Sequence, residues 1–188
     1  MSARSVVRVA VPGVALLGAV LLEVGQLGAQ QPPGSQPAAA ANPLDAVPDK
    51  MPFDIPYGVP ISLEHAQAAI AAAAAEAKKH DWKLNIAVVD SGGNLVAFQR
   101  MDGAQLASIQ ISEHKARAAV TFRRETKVWE NAIQTDNRPY VMTLDGVIGS
   151  RGGIPLVQAG KLVGGIGCSG GTGSQDEVAC KVGAATVR

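Results

Sequence analysis

Eight of the chain's 11 prolines fall between Pro32 and Pro60. Each removes a backbone donor and fixes φ, so neither a helix nor a central strand propagates through the stretch. Gln, Ala and Ser fill most of the gaps, and few of these residues can build a core. Segment 30–60 therefore reads as a Pro/Ala/Gln-rich linker or arm. Its later part carries Phe53, Ile55 and Tyr57, side chains able to dock on the domain or on a neighbouring subunit. The fold has to come from residues 61–188, one domain of ordinary size.

Residues 1–29 begin with Arg4 and Arg8, run apolar from Val9 to Leu22 and reach Gly28-Ala29. A short charged start, an apolar run and a small-residue end describe a secretory signal peptide. The run is shorter than the roughly 20 residues of a membrane span, and an uncleaved anchor is the rival reading. The expected location is periplasmic or secreted, with no membrane span after cleavage. Net charge is +1 at pH 7, so nothing argues for a nucleic-acid partner.

Within the domain, Ser62 is placed to cap a helix in which Ala66, Ile70, Ala73, Ala74 and Ala77 recur at helical spacing. Leu84–Asp90 and Leu95–Arg100 read as strands joined by the turn Ser91-Gly92-Gly93-Asn94. Leu106–Phe122 and Glu125–Ile133 have helical patterns, the first with Leu106, Ile109, Ala116, Ala119 and Val120 as its apolar positions. Gly146–Gly149 reads as a short strand, Ile154–Val157 and Lys161–Cys168 as a second hairpin, and Ser174 opens the last helix. This order predicts an α+β domain with a mainly antiparallel sheet of about five strands flanked by helices.

Gly165-Ile-Gly167-Cys-Ser-Gly170 has the form G-x-G-x-x-G. A dinucleotide site needs a strand before it, a helix after it and an acidic residue about 20 positions on. The last condition has no place before Arg188, and the antiparallel order is not that of a Rossmann unit, so dinucleotide binding is not expected. Ser174-Gln-Asp-Glu177 fits a capping box, and the glycines then serve to turn the chain from a buried strand into a helix. The rival is a backbone nest that holds a carboxylate or phosphate. Asp176 and Glu177 already place two negative charges there.

Five motifs occur in order: Ala87-Val-Val-Asp-Ser-Gly-Gly-Asn-Leu-Val-Ala-Phe98, Arg100-Met-Asp-Gly-Ala104, Lys115-Ala-Arg-Ala-Ala-Val120, Gly152-Gly-Ile-Pro-Leu156 and Val163-Gly-Gly-Ile-Gly-Cys-Ser-Gly-Gly171 with Gln175-Asp-Glu177. Together they resemble the GlcG/HbpS-like haem-binding family, which includes the C-terminal domain of PduO-type proteins. The resemblance implies a profilin-like sheet, a homo-oligomer and binding of haem or iron, with the protein buffering or sensing its ligand. It also draws attention to Arg151, Gly152 and Gly153 as cofactor-binding candidates. Asn94 stands where the family often has His, and Cys168 and Cys180 stand where small apolar residues are usual.

A haem site needs one or two nitrogen or soft donors and an apolar slot. His114 and His65 are the candidate ligands, each weighed against a plain surface role, while His80 at a helix end suits the dipole. Met101, Tyr140 and Met142 are further donors, more simply explained as packing; Arg123, Arg124 and Lys127 suit propionates or a solvated face. No H-x-x-x-H or C-x-x-C metal motif is present. Gly167-Cys-Ser169-Gly-Gly171 has the letters G-x-S-x-G, but neither Ser169 nor Ser174 is read as the nucleophile of a strand–nucleophile–helix elbow, so no catalytic residue is assigned and a non-enzyme is the default. Two other functions stay open: a non-catalytic accessory subunit of an exported oxidoreductase, and a small-carboxylate-binding domain. In an exported protein Cys168 and Cys180 are expected either to form a disulfide across strand and helix or to pack as two buried thiols.

Overall fold

The computed structural model describes residues 42, 45–51 and 53–188; the signal-peptide reading over 1–29 lies outside them. The chain divides into Met1–Val47 and Pro48–Arg188, and every helix and strand named below belongs to the second unit. In chain order these are α1 (Leu63–Lys79), β1 (Asn85–Asp90), β2 (Leu95–Arg100), α2 (Ala107–Thr121), α3 (Lys127–Gln134), β3 (Gly153–Gln158), β4 (Lys161–Ser169) and α4 (Gly173–Ala184), with a 3₁₀ turn at Pro139–Thr143. Among the described residues no helix is long and apolar enough to cross a membrane.

One antiparallel sheet in the order β2-β1-β4-β3 forms the middle layer. Side chains alternate across it, as a period of two requires. Ile86, Val88, Ile166 and Cys168 join a core with α1 and α4, whereas Ala87 and Val89 pack with Ala116 and Val120 of α2. The domain is thus a three-layer α+β sandwich. The sheet has four strands rather than about five: Gly146–Gly149 is not a strand. Gly146 has φ +79° and ends a turn, and Gly149 packs against Ile133 and Met142 instead of pairing along an edge.

The glycines of β4 are explained by close approach. A Cβ on Gly165 would lie 2.5 Å from the Ala116 carbonyl oxygen, and one on Gly167 would collide with that of Ser112. The backbone of α2 therefore rests directly on the sheet. Its inward stripe is Ser108, Ser112, Lys115, Ala116 and Ala119, all buried, while Leu106 is the exposed N-cap residue rather than a core position.

Helix α1 begins where the sequence places it, with Ser62 accepting from the His65 amide. The α4 cap differs. Thr172 is the N-cap, and the capping box is formed with Gln175, two residues before the Ser174–Glu177 pair of the sequence reading. The end of the arm docks on its own domain. Gly58 donates to the Leu162 carbonyl and the Leu162 amide to that of Pro56, which adds a parallel bridge to β4. The Tyr57 hydroxyl reaches the carbonyls of Val120 and Thr121 at 3.2 and 3.1 Å.

Candidate functional site

The outer side of α2 carries Gln110, Glu113, His114, Arg117 and Thr121 at helical spacing, and with Gly146 these residues line an open cleft of about 620 Å³. That volume lies within the roughly 300–1,000 Å³ of small-molecule sites. His114 is half-buried and its Nε2 is 3.3 Å from the Gly146 carbonyl oxygen. A hydrogen bond there puts the proton on Nε2 and leaves Nδ1 as the lone-pair nitrogen. Arg117 is paired with Glu113 at 3.2 Å. The chain leading into Gly146 exposes Tyr140, Met142 and Leu144, an apolar stretch beside a polar cleft. The cleft thus offers an imidazole nitrogen and a guanidinium paired with Glu113, next to an apolar edge.

His65 is elsewhere. It lies exposed in the first turn of α1, a helix on the far side of the sheet from α2. Within one chain the two histidines are not brought together. His80 caps α1, stacks on Trp82 at 4.4 Å and lies 3.4 Å from Glu76. Met101 is a core residue. Among the described residues no group of three or more His, Cys, Asp or Glu side chains is arranged to hold a metal ion.

Arg151, Gly152 and Gly153 sit at a different corner, where β3 begins beside the end of β4. Arg151 donates from its amide and from Nε to Glu130, at 2.8 and 2.6 Å, and lies 3.4 Å from Glu177. It is thereby committed to a network in which Glu177 also meets Lys127 and Lys181. Burial pushes the Glu177 carboxyl up, but these lysines outweigh it and hold it below the ordinary carboxylate range. A Cβ on Gly152 would lie 2.8 Å from the Asp176 Cβ and 3.2 Å from Lys115 Nζ, and one on Gly153 would strike the Lys115 backbone. The two glycines clear a path for a lysine.

That lysine is the residue pattern reading missed. Lys115 Nζ is 2.7 Å from Asp176 Oδ2 and donates at 3.1 Å to the Cys168 carbonyl, with the two side chains 1% and 3% exposed. Asp176 Oδ1 accepts from the Gly171 amide. Burial raises the Asp176 carboxyl above its usual range, against the pull of Lys115. A signal was present: Lys115 falls in the buried stripe of α2, where a charge needs a partner. The amides at the start of α4 are likewise taken, Gly171 by Asp176 and Thr172 by Gln175, which leaves the glycine loop little to offer a carboxylate. Cys168 and Cys180 are joined by a disulfide with Cα atoms 5.7 Å apart, tying β4 to α4.

Comparison with known proteins identifies the family. Residues 61–185 match the family model described as "Haem degrading protein HbpS-like". Protein GlcG of Escherichia coli K12 is 40% identical over 109 residues, 58% of this chain and 81% of that protein. A crystal structure of a Streptomyces reticuli HbpS double mutant superposes with TM-score 0.64 at 30% identity, covering 79% of this chain and 99% of HbpS. A crystal structure of a PduOC:heme complex gives TM-score 0.63 at 27% identity, covering 69% and 96%. With the model match running through all four strands and all four helices, the chain belongs to the HbpS-like family.

Proposed function

We propose that this is an exported haem-binding protein that buffers or senses its ligand and works as a homo-oligomer. The observation that carries the reading is the family match across residues 61–185. Support comes from the cleft, where His114 offers a nitrogen donor and Arg117 a cation for a propionate. Export is supported by the leader-like residues 1–29 and by the Cys168–Cys180 disulfide, since such bonds persist in oxidising compartments. Bound haem would supply the iron's ligand-binding and redox chemistry. The residues of α2 would hold and orient the macrocycle.

Titrating the purified chain with hemin should give a saturable shift of the Soret band. His114→Ala should weaken binding and move the band, with unchanged far-UV circular dichroism, while His65→Ala should leave both untouched. A featureless titration overturns haem binding; equal losses in the two variants overturn the placement on α2. Soret intensity that decays with time under a reductant would show turnover of the ligand rather than storage. A monomer mass by light scattering at micromolar concentration would reject the oligomer.

A further inference from the structure

Helix α2 ends at Thr121 with Phe122 as its C-cap, and the next two residues are both arginines. Arg123 has φ +54°, the left-handed position that closes a helix and usually belongs to glycine. Its side chain, not its backbone, accounts for an arginine there. Arg123 donates to the Ile55 carbonyl at 3.2 Å, and its guanidinium lies 5.9 Å from the Phe53 ring and 5.7 Å from the Tyr57 ring. Arg124 stacks 3.3 Å from the Phe53 centroid and 4.7 Å from that of Trp129, and its Nε donates to the Phe122 carbonyl.

Both guanidiniums are half-buried, and among the described residues neither makes a salt bridge. Asp54 lies at the same place but is exposed. Burial and the neighbouring Arg123 lower the Arg124 pKa, as expected for adjacent like charges without a counter-ion. The two side chains border a recess of about 390 Å³ completed by Phe53, Asp54, Ile55 and Val128. None of these residues lines the His114 cleft.

We propose that this recess is an anion-binding site for a carboxylate or phosphate borne on a flat apolar body. The guanidinium forks match either anion with paired N–H donors, as a lysine cannot. Phe53, Ile55 and Val128 supply apolar walls for the body. Phe53, Asp54 and Ile55 come from the arm, so the docked end of the arm builds half of the site. The proposal is independent of haem binding at His114.

Isothermal titration calorimetry of the full chain at low salt tests it, with 2-naphthoate, 2-naphthyl phosphate and the uncharged 2-naphthol as probes. At least one anion should bind saturably and more weakly as salt rises, and 2-naphthol should not. Whichever anion binds assigns the class. Arg124→Gln, or the double change Arg123→Gln and Arg124→Gln, should weaken the anion about 10–100-fold, the usual range for hydrogen bonds to charged groups. Phe53→Ala should weaken it as well. Arg123→Gly separates function from folding: glycine suits φ +54°, so the thermal midpoint should hold while anion affinity falls. Equal binding of 2-naphthol, or undiminished binding by the glutamine variants, overturns the site.

Discussion

Replacing Lys115 by methionine keeps most of the stem's volume and removes the ammonium, leaving Asp176 with only the Gly171 amide at hydrogen-bond distance. The pair it breaks is buried, with side chains 1% and 3% exposed and 2.7 Å between charges. Removing one partner of such a pair costs about 3–5 kcal/mol, because an uncompensated charge stays behind. For a folded unit spanning Pro48–Arg188, each kcal/mol moves the thermal midpoint by roughly 3–5 °C. Lys115→Met should therefore lower it by about 10–20 °C. The loss should also depend on pH. Burial already raises the Asp176 carboxyl above its reference value of 3.8, and without the lysine only the Gly171 amide opposes that rise. A carboxyl whose folded pKa is raised contributes stability that is complete below the unfolded value and is lost as pH climbs through the folded one. Lys115→Met should accordingly be closer to wild type at pH 5 than at pH 8, whereas Asp176→Asn, lacking the carboxyl, should show no such gain. Thermal unfolding followed by circular dichroism at both pH values is the assay. A loss below about 1 kcal/mol in both variants, or a Lys115→Met loss unchanged by pH, would refute the reasoning.

Gly167→Ala should destabilise toward the upper end of the roughly 1–3 kcal/mol typical of overpacking, since the new methyl meets the Ser112 carbonyl and sits 2.6 Å from the Ala116 nitrogen; urea titration reads it. Cys180→Ser opens a loop of 12 residues and should cost about 3 kcal/mol in the chain-entropy model, with the wild type matching it under reducing denaturation. The Glu177 carboxyl is held below its reference value of 4.5, so its contribution is present above that value and lost as pH falls. Glu177→Gln should flatten the acid limb of the stability–pH curve, and an unchanged limb would discount the Arg151–Lys181 network.

What could be read from the residues alone was mostly local. The β1–β2 hairpin was legible because Asp90 accepts from the amides of Gly92 and Asn94, a contact spanning four residues. Helix α1 was legible from its alanine period and its serine cap. The α4 cap was ambiguous, since Thr172 and Ser174 each precede a Gln or Glu by three. The choice rests on Asp176 being drawn inward to Lys115, 61 positions away in the chain. Gly146–Gly149 looked like a strand because apolar composition does not report the positive φ of Gly146 or the packing of Gly149 against Ile133. The site was less legible than the fold. Arg151 looks like a free cation in sequence and is bound to Glu130 in space, while His114 is told from His65 by the Gly146 carbonyl, 32 residues on, and by the cleft it lines.

The seat of α2 on Gly165 and Gly167 bears on where that helix can sit. Most helices are keyed along their axis by side chains that mesh with those beneath them. Here Ala116 and Val120 do pack with Ala87, Val89 and Leu162, but over Gly165 and Gly167 the helix backbone itself meets the strand. Polar contacts tie the same helix to the end of β4 and to α4: the Ser108–Ser169 hydrogen bond at 3.0 Å and Lys115, which meets the Cys168 carbonyl and Asp176. A Cβ at Gly165 or Gly167 would press on the backbone of the helix that carries His114, so two glycines of β4 set the seat of a cleft that they do not line.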